Sequence, residues 1–280
     1  MTRRRIISLD DASAVLPQAL PALTDLRARG LTHRWVRHVR SSQAFALNLF
    51  APLPEAGVRR VLAALELQAA AVETPVFEFE DTQDRLAEAS ARSRHRTQVD
   101  VVLRGTTADG QRVAAFIEVK LSELDFGNCS AFESPDNTSP ATCRSPGLFG
   151  GDPDSCFQLQ NHGRGRRHYD THLPPALTPS GPSNDGGCLV RDGRNQPMRN
   201  LALAKLMVDE GELDQAVYAL CAPQKHAAIW RRYTEFTSIF TSTAQVWTGD
   251  LPAELVAAQH SDGGTAVDDW YRGALSDPPN

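Results

Sequence analysis

The sequence predicts an α/β protein, a mixed central sheet flanked by helices and carrying a long loop-rich insertion. Three observations predict it. Apolar residues recur at helical spacing in the first seventy residues and again after Pro197. Between them, Val76–Glu80, Gln98–Leu103 and Val113–Leu121 switch to the period-two alternation of strands. The last two of these flank an Asp109-Gly110 pair, a strong hairpin signal.

Each element has its own justification. Residues 1–30 read as a helical lead-in. A helix fits Ser41 to Ala51, with Ser41 or Ser42 as N-cap and Pro52 as its stop. A second fits Glu55 to Ala71, where Val58, Val61, Leu62 and Leu65 fall at i, i+3, i+4 and i+7. On the Gln98–Leu103 strand, alternation puts Val99, Val101 and Leu103 on one face and Gln98, Asp100 and Val102 on the other.

The insertion, about residues 124–190, holds Pro135, Pro140, Pro146, Gly147, Gly150, Gly151 and Pro153, which forbid long regular elements. Phe157 to Leu173 reads as partly helical, and Pro174 to Gly187 as another loop. A helix from Pro197 to Glu210 follows, with proline at a first-turn position and Gly211 at the end. Ala216–Cys221 reads as a short strand stopped by Pro223. The tail gives a helix near Lys225–Phe236, a strand around Val246 and a last helix near Ala266–Leu275.

Bulk properties exclude several classes. The 280 residues suffice for one domain, residues 1–280, with a core at about 41–223. A hydrophobic fraction of 41% and a charged fraction of 22% exclude wholesale disorder. No run approaches the roughly 18 apolar residues of a membrane span. Arg3–Arg5 and the short patch after them are broken at Ser8, Asp10 and Asp11, so no export signal forms and a cytoplasmic location is expected. Net charge is −5, but residues 1–60 hold ten Lys/Arg against four Asp/Glu, or +6, leaving −11 for the rest. Local clusters decide phosphate binding, not the sum.

The chemistry concentrates in Thr97-Gln-Val-Asp100 and Phe116-Ile-Glu118-Val-Lys120. Glu118 and Lys120 are two apart on one strand and share a face, and the hairpin brings Asp100 beside them. Two carboxylates in an apolar setting repel unless a proton or a cation intervenes. Hard oxygen ligands suit Mg²⁺, which activates water and steadies a leaving oxygen. Lys120 is then placed to hold the attacking water, help deprotonate it, or offset charge on phosphorus. The alternative is a surface strand that ends in a charge pair.

These residues resemble the core of the PD-(D/E)XK nuclease superfamily, the restriction-endonuclease-like fold. The order helix, strand, Asp-bearing strand, E-x-K strand, helix, strand is similar, and the likeness covers roughly Ser41 to Pro223. Ser41-Ser42-Gln43-Ala44-Phe45 through Leu49-Phe50, and Gln196-Pro-Met-Arg199-Asn200, resemble a bacterial restriction-endonuclease-like branch. One departure is Val99, where the pattern has proline before the aspartate. The resemblance implies a DNA-cleaving hydrolase using Mg²⁺ (or Mn²⁺), held by Asp100, Glu118 and the Val119 carbonyl. It also makes Gln43, on the early helix, a candidate facing the metal. A homodimer is an expectation of the same kind, since cutting both strands needs two sites. The rival functions are a non-cleaving nucleic-acid-binding module of the same fold and a metal-stabilised interaction protein.

Accessory candidates surround this core. Glu80, near the end of the Val76–Glu80 strand, reads as an exposed strand residue or as a member of the acidic pocket. Gln196, Arg199 and Asn200 sit at a helix start, a place for phosphate contacts or for ordinary capping. Three basic runs stand out: Arg34-Trp-Val-Arg37-His-Val-Arg40; Arg92, Arg94 and Arg96; and Arg164, Arg166, Arg167 and His168. Together they are candidate nucleic-acid contacts, and singly each is a solvated face. Trp35 and Tyr169 are read as stacking residues or core aromatics. Cys129, Cys143, Cys156 and Cys188 are four thiols for Zn²⁺ or an iron–sulfur cluster, with His162 and His168 as alternative ligands, but no C-x-x-C occurs. Cys221 reads as a buried small hydrophobe.

Overall fold

The computed structural model describes residues 14–276, except 39, 90–95, 133, 138–139, 142–155, 161–166, 173–187, 189–190, 192 and 241. After a 3-10 turn at Pro17–Ala19, the helices before the sheet are α1 (Leu20–Ala28), α2 (Ser42–Phe50) and α3 (Glu55–Ala64). The strands β1 (Ala71–Val72), β2 (Val76–Glu80), β3 (Gln98–Thr106) and β4 (Arg112–Val119) follow. Beyond the insertion, which contains α4 (Tyr169–His172), come α5 (Asn195–Asp209), β5 (Gln215–Ala222), α6 (Ala227–Thr237), β6 (Val246–Pro252), α7 (Ala253–Ala257) and α8 (Thr265–Ser276).

Among the described residues six strands form one mixed sheet in the order β1-β3-β4-β5-β6, with β2 pairing β3 as well. The β3–β4 hairpin is antiparallel, whereas β4, β5 and β6 run parallel. That switch is why a long crossover must separate β4 from β5, and the insertion plus α5 supplies it. At the hairpin tip, Gly110 takes a φ of 88°, open to glycine at little cost.

Apolar residues cover both faces. Val101, Leu103, Ile117 and Val119 pack with Phe45, Leu47, Leu49 and Phe50 of α2 and with Val58, Val61 and Leu62 of α3. Val102, Phe116, Tyr218 and Leu220 pack on the other face with Met198, Leu203 and Met207 of α5 and with Tyr233 and Phe236 of α6. A central sheet buried on both faces reads as nearly continuous apolar sequence, as β5 does.

Several bounds differ from expectation. The second helix stops at Ala64 rather than Ala71, β3 extends three residues beyond Leu103, and β4 ends at Val119. The strict alternation expected for β3 also breaks: Val99 packs with the α5 side, together with Val102, while Val101 and Leu103 pack with α2 and α3. The break falls at Asp100. The β2–β3 ladder pairs Phe77 with Val101 and Phe79 with Val99 but passes over Glu78 and Asp100. The β3–β4 ladder ends at Val101–Ile117, one residue short of Asp100 and Glu118.

Candidate active site

The sheet opens where those ladders let go, and three side chains from β3 and the end of β4 meet there. Asp100 accepts a hydrogen bond from the Val119 N–H at 2.7 Å, which fixes its carboxylate against the next strand. Glu118 is wholly buried. One of its oxygens accepts from Asn200 Nδ2 at 2.9 Å, and the other lies 2.7 Å from Lys120 Nζ without an aligned hydrogen bond. Lys120 is itself buried, donates to Gln196 Oε1 at 3.0 Å and lies 5.8 Å from the centre of the Phe126 ring. The hairpin thus brings together the three residues that the strand alternation singled out.

A third acid joins them from β2. Glu78 takes a φ of 49°, in the left-handed region that side chains rarely adopt within a strand. Its Oε1 accepts from Gln43 Nε2 at 2.6 Å, and the same amide nitrogen donates to the Leu31 carbonyl at 3.0 Å. Gln43, on the first turn of α2, therefore ties the acid cluster to the segment after α1, whose His33 N–H donates to Gln43 Oε1 at 2.7 Å. The N-cap of α2 is Ser41, which accepts from the Ala44 N–H at 3.2 Å. That leaves the Ser42 hydroxyl free to donate to Glu123 at 2.6 Å and to accept from the Leu121 N–H at 3.0 Å, clamping the chain beyond Lys120.

The electrostatics follow from crowding. Burial, and then the charges of Glu118 and Glu78, push the Asp100 carboxyl well above the ordinary carboxylate range. Burial raises Glu78 to about 7, with Glu118 adding to the shift and Gln43 working against it. The Lys120 pKa is raised as well: burial disfavours its charge, but Glu118, Asp100 and Glu123 outweigh that. Burial also works against Glu123, yet Lys120, the Ser42 hydroxyl and the Ser122 N–H hold it below the usual range. Around these groups lies a cleft of about 720 Å³, lined by Glu78, Asp100, Val119, Lys120 and Gln196 and by Gly30, His33, Trp35, His38 and Arg40 of the segment between α1 and α2.

Other expected residues sort differently. Glu80 sits in register with Gln98 and lies 4.0 Å from Arg96, so Glu78, not Glu80, is the β2 acid of the cluster. Asn200 is turned inward on Glu118, and Arg199 pairs with the buried Glu88 at 2.9 Å. Both make internal contacts, Asn200 within the site and Arg199 beside it, with the Arg199 side chain partly exposed. Arg96 lies 3.9 Å from Asp84, and Arg167 donates to the Gln158 carbonyl at 3.0 Å. Arg92, Arg94, Arg164, Arg166 and His162 lie outside the described residues. Tyr169 is buried and bonds Glu88, whereas Trp35 is 41% exposed.

Cys129 and Cys221 are buried free thiols, Cys156 and Cys188 are partly buried, and Cys143 lies outside the described residues. Cys129 bonds Gln158 through its sulfur, and its N–H bonds the Arg191 carbonyl near Cys188. Among the described residues no group of three or more His, Cys, Asp or Glu is placed to share a metal ion.

Glu78, Ser42 and Glu123 escaped the sequence reading. Alternation puts Glu78 and Glu80 on one face of β2 and offers no way to choose between them. Glu123 lies past the strand, where no period applies. Comparison with known proteins adds one finding: the family model described as Restriction Endonuclease associating with ARP matches residues 2–238. No curated protein and no solved structure matches the chain. Among the described residues no helix is long and apolar enough to cross a membrane.

Proposed function

The chain belongs to the family of restriction endonucleases associating with ARP, and we propose that it is a PD-(D/E)XK-type deoxyribonuclease that hydrolyses DNA phosphodiester bonds at Asp100, Glu118 and Lys120. One observation carries the reading. Three carboxylates, Glu78, Asp100 and Glu118, crowd together where the ladders end, and the Lys120 ammonium lies against Glu118. Two like charges in a buried setting are costly until a cation joins them.

The donor set fits a hard divalent ion. Asp100 and Glu118 offer carboxylate oxygens, and Val119, the residue after Glu118, offers its carbonyl just past the end of the β3–β4 ladder. These three groups would hold Mg²⁺ or Mn²⁺, with water completing the shell. When bound, the ion lowers the pKa of water and balances charge at the phosphate.

The protein's own groups do the rest. Lys120 pairs with Glu118 and serves as a hydrogen-bond donor and a positive charge at the site. Gln196 aims that ammonium, and Asn200 steadies Glu118 from α5. In the reaction a water oxygen bonds to phosphorus as the bond to one sugar oxygen breaks. The departing oxygen takes a proton, leaving two strand ends. The family's description also couples its members to ARP, and we take an ARP protein as a partner of this chain.

The test is cleavage of plasmid and linear DNA with Mg²⁺, Mn²⁺ or EDTA. Wild type is expected to cut with either metal and not in EDTA. Lys120→Ala and Asp100→Ala each lose at least roughly 10²-fold in rate, the scale of losing one charge-stabilising group. Cutting by either variant at the wild-type rate would show that the reaction runs elsewhere on the chain.

A further inference from the structure

The segment between α1 and α2 that lines the cleft has a chemistry of its own. Residues 31–41 contain His33, Arg34, Arg37, His38 and Arg40 and no Asp or Glu. Consecutive turns shape the segment: the Val36 N–H bonds the His33 carbonyl at 2.9 Å, and the His38 N–H bonds the Trp35 carbonyl at 2.8 Å. Val36 is buried in the α2-side core and pins the segment down. Its neighbour Trp35 is left exposed, one of two large hydrophobic side chains so placed among the described residues.

The Arg34 guanidinium sits 5.0 Å from the Trp35 ring centre, so the indole already carries a cation. The main-chain N–H groups of Trp35 and Arg40 donate to Nδ1 of His33 and His38, at 3.3 and 3.1 Å. Both rings then keep their proton on Nε2, ready to donate to an anion. The segment is fixed relative to the acids, because Gln43 bonds Leu31, His33 and Glu78 at once.

Resting on the nuclease reading above, we propose that Trp35 stacks on an unpaired base of the DNA strand, with His33, His38 and Arg40 holding the adjoining phosphates, so that this cleft takes single-stranded DNA or a strand with an unstacked nucleotide rather than continuous duplex. In paired DNA the base faces are covered by their neighbours, and an indole in a cleft has nothing to stack on. A freed base gives it a face of matching size, and stacking of this kind is insensitive to sequence. The cleft volume of about 720 Å³ is that of a ligand pocket, with room for a nucleotide or two beside Trp35. The basic segment supplies charge complementarity to the strand.

The test uses fluorescence anisotropy of the full chain with a labelled 20-nucleotide single strand and with the blunt duplex of the same sequence, in Ca²⁺ at fixed salt. Wild type is expected to bind the single strand more tightly than the duplex. Trp35→Ala weakens single-strand binding roughly ten- to hundred-fold. Trp35→Phe, which keeps an aromatic face, stays within about threefold. As an independent reading, tryptophan emission of wild type is quenched on single-strand binding by more than that of Trp35→Phe. Equal affinity of wild type and Trp35→Ala, equal losses in Trp35→Ala and Trp35→Phe, or duplex preferred by wild type would each overturn the proposal. Failure here is separable from failure of the nuclease reading. Metal-dependent cutting with unchanged Trp35→Ala binding removes only the stacking role, while Trp35-dependent binding without any cutting removes only the hydrolysis.

Discussion

At Glu78 the chain of β2 leaves the extended region opposite Asp100, and the side chain that alternation would send along the sheet enters the acid cluster instead. A carboxyl raised by burial from 4.5 to about 7 binds its proton more tightly folded than unfolded. The stability it contributes is therefore complete below pH 4.5 and lost as pH rises through about 7. Metal-free protein in EDTA is expected to melt at a lower temperature at pH 8 than at pH 5, and Glu78→Gln should flatten that fall while keeping a partner for Gln43. Identical slopes for wild type and variant would mean that Glu78 does not carry the strain. Asp100, Glu118 and Lys120 were legible at this scale because the hairpin turn sets their two segments side by side, although the break in β3 at Asp100 was not. Glu78 was not, because its selection over Glu80 depends on one φ angle that glutamate has no intrinsic reason to adopt.

Helix α5 shows what an element adds to its residues. Gln196, Arg199 and Asn200 fall at i, i+3 and i+4, on one face. That face points into the molecule, onto Lys120, Glu88 and Glu118 in turn. Removing the donor to a fully buried carboxylate oxygen costs about 1–3 kcal/mol. Asn200→Ala is expected to lower the urea midpoint in EDTA accordingly, whereas Gln196→Ala, which leaves Lys120 its ion pair, costs less. A smaller loss in Asn200→Ala than in Gln196→Ala would reverse the assigned roles. The ends of helices show where elements were readable. α5 ends with Gly211 at φ 70°, its N–H bonding Val208 and that of Glu212 bonding Met207, a closure the glycine announces. α3 ends by the same bonds, Glu66 to Ala63 and Leu67 to Leu62, with Glu66 at φ 68° in glycine's place. The apolar spacing through Leu65 gave no notice of that stop. Leu67 is drawn into the core and pulls the chain around, a tertiary cause that local sequence does not record.

For the whole molecule, the matched family region ends at residue 238, yet the fold does not. β6 extends the sheet by pairing β5 along Ala216–Ala222, and its Val246 and Leu251 enter the two cores. α7 adds Ala253, Val256 and Ala257 to the α2-side core, and α8 adds Val267. Trp270 and Tyr271 of α8 lie 6.1 and 5.8 Å from Phe45, on the helix whose first turn carries Gln43. A chain ending at residue 238 would expose a long, apolar, parallel strand edge, the kind of edge that pairs with other chains. It would also bare the side of α2 that fixes the distance between the acids and the Trp35 wall. That truncated chain is expected to aggregate. A chain ending at residue 263 keeps β6 and α7, and should stay soluble with a lower melting temperature and weaker cleavage, because α2 loses its aromatic cover but the sheet does not. Size-exclusion profiles and thermal melts of the two chains distinguish these outcomes. A soluble chain ending at residue 238 that melts like full length would show that the matched region folds independently, and that the last two helices and β6 are an appendage rather than part of the frame that holds the site.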